Sequence, residues 1–295
     1  MDRIEYRNTK DYKKAIDILC DFISEALSGD INRLKNNDIT LLIRRVDNGK
    51  KQNIYFGDIN DPDMYYITRA IYIVVWGYVF NLDFDNLGQW GRIIKHPFRG
   101  DTMNSFNSVF GKEMIIAKRY CLSDDLIKKI MEYYHLYHSI GNFIVIPNKL
   151  NLNSKRANYC TLQDFFDSFL GAMYQYKHPE ESTVYRDFCN ELEVVFKEND
   201  AIEKLSFNDY VNEFYLKSYI RDEKPYDVFN VPLDIRKKEY IGRNRRSKSF
   251  YTNDEYISMT SNYLNEAEKI IKNRADSIVE RLNEEIGAFN NAGHC

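Results

Sequence analysis

Glu132, His135 and His138 recur at every third position in the stretch EYYHLYH, a spacing that places neighbouring members close together on one face of a helix. A carboxylate and two imidazoles so arranged are the side chains a divalent metal would take as ligands. A carboxylate-bridged metal bundle needs two Glu-x-x-His steps plus further carboxylates from other helices, and the chain contains one such step. Tyr133, Tyr134 and Tyr137 fill the intervening positions, which equally describes a half-buried helix end whose histidines hydrogen-bond locally.

The residues that follow, HSIGNFIVIPNKLNLNSKR from His138 to Arg156, carry a more specific pattern. They resemble the His-x-x-Gly-Asn, apolar-run, Asn-Lys/Arg segment of HNH-like endonuclease domains, such as the C-terminal half of GmrSD-type modification-dependent restriction enzymes. The resemblance implies that Asn142 is the middle asparagine that orients the metal-site loop. It places Asn153 and Arg156 in the third motif, with His138 beside them. It further implies hydrolysis of nucleic acid beside one Mg²⁺ or Mn²⁺ ion, with an imidazole as general base. The family's upstream acid followed by His is met here only by Lys95-His96 in IIKHPF, with a lysine where the acid belongs.

FRGDTMNSFNSVFG, read together with YHSIGNFIVIPN, is also similar to an uncharacterised family of bacterial proteins, a resemblance that spans much of the chain and brings no activity with it. Within it Arg99, Asp101, Asn104 and Ser105 gather polar groups where Asp101 is expected to cap a helix. A helix start beside an arginine could hold a phosphate or carboxylate; an Arg99–Asp101 pair on a capped helix is the plainer alternative.

A basic run, IRKKEYIGRNRRSKSF, contains Arg236, Arg243, Arg245, Arg246 and Lys248, with Tyr240, Phe250 and Tyr251 nearby. Cations interleaved with aromatics can neutralise phosphates and stack on unpaired bases, although charge runs in loops are usually only solvated. Asp164 and Asp167 could pair two carboxylates on one helix face, against the commoner reading of acids placed for the helix dipole. The common nucleotide-binding, serine-hydrolase and zinc-protease fingerprints are absent from the sequence.

The elements that must position these residues are mostly helices. With 295 residues, 44% of them hydrophobic, the chain can bury a sizeable core, and its net charge of −3 creates no global attraction to polyanions. The apolar run AIYIVVWGYVF is too short for a bilayer span of about 20 residues, and the opening stretch has no apolar signal region, so a cytoplasmic protein is expected. Five scattered cysteines, with no C-x-x-C, fit reduced thiols.

Apolar spacing predicts a helix over residues 9–27 stopped by Gly29, a buried helix from about Asp63 to Tyr78, and a helix capped by Ser123. Further helices are expected within 161–176, 182–196 and 206–220. A long last helix should begin at the Thr252–Glu255 capping box and run to about Gly287. The expected fold is mainly α, a multi-helix globular protein with at most a small β element. Its segments are a helical core over 1–222, a basic loop or linker over 223–251, and a C-terminal helix over 252–295 packed on that core.

Three functional classes fit these features. The first is a metal-dependent or degenerate HNH-like nuclease-related protein acting on nucleic acid, in defence against foreign DNA. The second is a non-catalytic anion- or peptide-binding module. The third is a helical interaction or structural protein, which could form homo-oligomers through the last helix.

Overall fold

Thr9 caps the first long helix, its hydroxyl accepting the Tyr12 N–H at 3.3 Å. A short helix α1 (Arg3–Arg7), closed by an Asp2/Glu5 capping box, precedes α2 (Lys10–Ala26). Tyr12, Ala15, Ile16, Leu19 and Phe22 form the buried face of α2, as the helical spacing requires, while Ile23 is half-buried. The chain leaves the helix through two left-handed residues, Ser28 (φ 54°) and Gly29 (φ 82°), and the Gly29 N–H donates to the Ile23 carbonyl at 3.0 Å.

The computed structural model describes residues 2–36, 65–87, 98–104, 123–147, 166–197, 200–233 and 253–291. These residues are mainly α-helical, with two small two-stranded sheets. Asp164 and the Thr252 cap lie outside them. The chain divides into two units, each discontinuous in sequence. The first comprises Met1–Asp101, His138–Asn148 and Ile271–Cys295; the second comprises Thr102–Tyr137 and Lys149–Ile270.

In the first unit α2 packs on α4 (Tyr66–Phe80), after a one-turn α3 (Arg33–Asn36). Apart from Thr68 and Arg69, helix α4 is apolar on every side, and it is accordingly buried from Ile67 through Gly77. The Tyr6 hydroxyl donates to the Leu82 carbonyl at 2.6 Å, tying α1 to the turn that follows α4. Strand β1 (Phe98–Thr102) pairs with β2 (Phe143–Pro147). This corrects the expectation for Asp101: it lies within β1, not at a helix N-cap. FRGDT has neither apolar alternation nor β-branched enrichment, so nothing local marks it as a strand; pairing with the apolar FIVIP run does.

The second unit begins its helices with α5 (Asp124–Tyr137), capped as expected by Ser123, whose hydroxyl accepts the Leu126 N–H at 3.3 Å. Helices α6 (Phe166–Lys177) and α7 (Arg186–Lys197) pack on one another, followed by α8 (Asp200–Lys204) and α9 (Phe207–Glu213). Phe169 meets Phe196 edge-on at 5.7 Å, and Tyr210 stacks on Phe214 at 4.5 Å, so aromatic faces fill much of this core. The expected helix to Ile220 stops at Glu213 because Tyr215 takes φ 56° and the Leu216 N–H folds back to the Val211 carbonyl. A hairpin follows, β3 (Ile220–Arg221) and β4 (Lys224–Pro225), turning on Asp222 and Glu223 with φ of 50° and 63°.

The last helix, α10 (Asn253–Asn291), continues past Gly287, where the sequence suggested a stop. A Cβ built at Gly287 meets nothing within 4 Å. Gly287→Ala should therefore raise stability by about 0.5–1 kcal/mol, read as a higher urea midpoint; a lower midpoint would contradict the helical assignment. Among the described residues no helix is long and apolar enough to cross a membrane.

Candidate functional site

The two segments singled out by their chemistry meet as a strand pair in the first unit. β1 carries Arg99, Gly100 and Asp101, and β2 follows directly from the turn that holds His138, Ser139, Gly141 and Asn142. That turn is a single 3-10 turn, Ile140–Asn142, closed by the Asn142 N–H donating to the Ser139 carbonyl at 3.0 Å. Asn142 and Ser139 are fully buried, His138 and Asp101 half-buried. The Ser139 hydroxyl has no hydrogen-bond partner among the described residues.

Arg274 of α10 fixes the turn from the far end of the sequence. Its side chain is buried, and one terminal nitrogen donates to the carbonyls of Gly141 (2.8 Å) and Phe143 (2.5 Å). The guanidinium lies 5.3 Å from the Trp76 ring of α4. Tyr72, also on α4, meets Phe143 edge-on at 6.2 Å, so the head of β2 is held on both sides. One buried cation thus serves two main-chain carbonyls at once. Arg274→Met should cost about 2–3 kcal/mol, read from denaturant unfolding, with Arg274→Lys recovering part of the loss; a neutral Arg274→Met would show the clamp contributes nothing.

The remaining expected site residues are dispersed. Glu132 and His135 are exposed on α5, where Glu132 faces Lys128 one turn back at 3.9 Å. His138 is the first residue beyond the end of that helix. Among the described residues no group of three or more His, Cys, Asp or Glu side chains could hold a metal ion.

Asn104, read as a ligand-binding residue, is fully buried in the second unit. Its side-chain oxygen accepts the Tyr219 hydroxyl at 3.0 Å, and its carbonyl accepts the Tyr133 hydroxyl, so it anchors the chain leaving β1. Asp167 is likewise buried and accepts the N–H groups of Ser168 (2.8 Å) and Val228 (3.2 Å), a structural use of the carboxylate. Ser105, Asn153, Arg156, and the basic residues Arg236, Arg243, Arg245, Arg246 and Lys248 lie outside the described residues, as do Lys95 and His96.

A second titratable cluster sits beside the hairpin. Glu181 accepts the Tyr174 hydroxyl (2.8 Å) and pairs with Lys224 (2.5 Å), while the His178 ring stacks on Tyr174 at 4.3 Å. The hydrogen bonds from Lys224 and Tyr174 hold the Glu181 carboxyl below the usual carboxylate range. The groups satisfy one another, and the cluster reads as a lock between α6 and β4.

Arg274 was overlooked in the sequence although a signal was present. It falls in the apolar register of the last helix, three residues after Ile271 and four before Ile278, where a charge must find buried partners. No family model, curated protein or solved structure matches the chain.

Proposed function

We propose that this protein is a nuclease-related protein of the HNH-like kind, acting on nucleic acid in defence against foreign DNA. The observation that supports this reading is the pairing of β1 with β2, which joins the segment carrying Arg99 and Asp101 to the segment carrying His138 and Asn142. A fully buried Asn142 suits a residue that orients its loop and does not touch substrate. A half-buried His138 at the head of the same turn suits a group that exchanges protons, since imidazole does so near neutral pH. The Mg²⁺ or Mn²⁺ ion that such hydrolysis uses would polarise the phosphodiester. The described side chains do not by themselves supply a full ligand set for it.

In this reading the basic run from Arg236 to Lys248 holds the substrate backbone. Binding of a fluorescent oligonucleotide should weaken as salt rises, with a slope set by the number of phosphates neutralised. The triple variant Arg243→Gln, Arg245→Gln, Arg246→Gln should flatten that slope by about two to three. An unchanged slope would remove the basic run from the function.

A further inference from the structure

Helix α5 carries two apolar stripes. Leu126, Ile130, Tyr133 and Leu136 form one, and all four are buried. Ile127 and Met131, one turn apart, form the other, and they remain 45% and 55% exposed. The other large hydrophobics exposed among the described residues, Ile4, Val184 and Val194, stand apart from one another along the chain. The outward side of α10, the helix the sequence suggested for self-association, is polar at Asn262, Lys269, Asn273, Asp276 and Glu280. Paired exposed apolar side chains on one helix are therefore a property of α5.

The charges beside the stripe specify what lies on it. Asp124, Lys128, Glu132 and His135 are all exposed along one flank of Ile127 and Met131, at steps of four, four and three residues. In chain order the row reads carboxylate, ammonium, carboxylate, imidazole. Lys128 and Glu132 stand 3.9 Å apart with side chains largely in water, so their mutual pairing is weak and either can turn to a neighbour. Lys129 turns the other way and donates to Asn265 of α10 at 3.0 Å. Laid antiparallel against itself, the row meets its complement. Asp124 then faces the partner's His135, Lys128 faces the partner's Glu132, and Ile127 faces the partner's Met131. The three pairings share one centre, between residues 129 and 130, so a single twofold axis there generates all of them. A parallel pair in register would set each charge against its like.

We propose that α5 is a self-association surface, on which a second copy of this chain packs its own α5 antiparallel about a twofold axis. The contact uses none of the residues assigned to the nuclease reading and stands or falls separately. One helix face is well short of the about 800 Å² per partner of a standard interface, so the dimer is weak and forms with concentration. Its test is sedimentation equilibrium of the full chain from micromolar towards millimolar concentration at low salt. The weight-average mass should climb from the 35.1 kDa of one chain towards twice that value. Met131→Lys, which sets a charge in the apolar seam, should weaken association about tenfold or more. Lys128→Glu sets carboxylate against carboxylate across the axis and should also weaken it. Lys128→Glu combined with Glu132→Lys exchanges the two charges, restores the pairing and should recover the dimer. All three positions are exposed, so the variants keep the fold. A chain at the monomer mass throughout overturns the proposal and leaves the stripe to some other occupant. So does a dimer indifferent to Met131→Lys, which would lie on another face, or a charge exchange that fails to rescue Lys128→Glu.

Discussion

Gly141→Val should abolish stable folding of the unit formed by Met1–Asp101, His138–Asn148 and Ile271–Cys295, at a cost of about 4 kcal/mol or more. The reason is space. A Cβ built at Gly141 falls on the Ile271 carbonyl, 2.8 Å from its carbon, and stands 3.0 Å from the Ala275 Cβ. The obstacle is the main chain of α10, which cannot swing aside as a flexible side chain would, so α10 must separate from the turn. Separation would also pull Arg274 from the Gly141 and Phe143 carbonyls, leaving buried acceptors unpaired. Gly141→Ala meets the same obstacle with less bulk and should fall between wild type and Gly141→Val in urea unfolding. A Gly141→Ala protein of wild-type stability would contradict the packing of α10 on this turn.

Glu285→Gln should cost about 3 kcal/mol, because it removes the buried counter-charge of Arg281, which keeps only the exposed Glu284 at 3.2 Å, and the ion pair of the partly exposed Arg7. Glu285 is 1% exposed; one carboxylate oxygen accepts from Arg7 Nε (2.6 Å) and from the Tyr12 hydroxyl (2.5 Å). The other oxygen lies against Arg281, which is 9% exposed, as an ion pair. Burial alone would raise the Glu285 pKa. The hydrogen bonds from Arg7 and Tyr12, with the charge of Arg281, outweigh it and leave the carboxyl below its ordinary value. Burial, with the Glu285 carboxylate beside it, pushes the Tyr12 phenol up.

A depressed folded-state pKa contributes stability that is complete above the unfolded value and is lost as pH falls through the folded one. The gap between wild type and Glu285→Gln should therefore be widest at neutral pH and close in acid, below the ordinary carboxylate pKa of about 4. A gap independent of pH would show that Glu285 is not ionised in the folded protein.

Both effects depend on contacts between residues more than a hundred positions apart, and this separates what the sequence disclosed from what it did not. Helix faces were legible because they are local: the stripe from Tyr12 to Phe22, the Ser123 cap and the mostly apolar α4 follow from spacing alone. The β1–β2 pair was not legible, since FRGDT gains its strand conformation only from a partner more than forty residues on. The break at Tyr215 was hidden too, because an aromatic in the left-handed region carries no sequence mark as a glycine would.

The candidate site was legible in part. His138 and Asn142 stand out by residue type, while Arg274 and Glu285 were hidden inside an apolar register. Read by period, Ile271, Arg274, Ile278, Arg281 and Glu285 share one side of α10, and charges on such a side announce buried ion pairs or carbonyl clamps.

The most direct test of the proposed function is cleavage of single- and double-stranded DNA and RNA by the purified full chain with Mg²⁺ or Mn²⁺, beside His138→Ala. The account predicts metal-dependent cleavage by the wild type and its loss in His138→Ala, with the two proteins melting at the same temperature. Every substrate left intact by the wild type, or equal cleavage by His138→Ala, would contradict it.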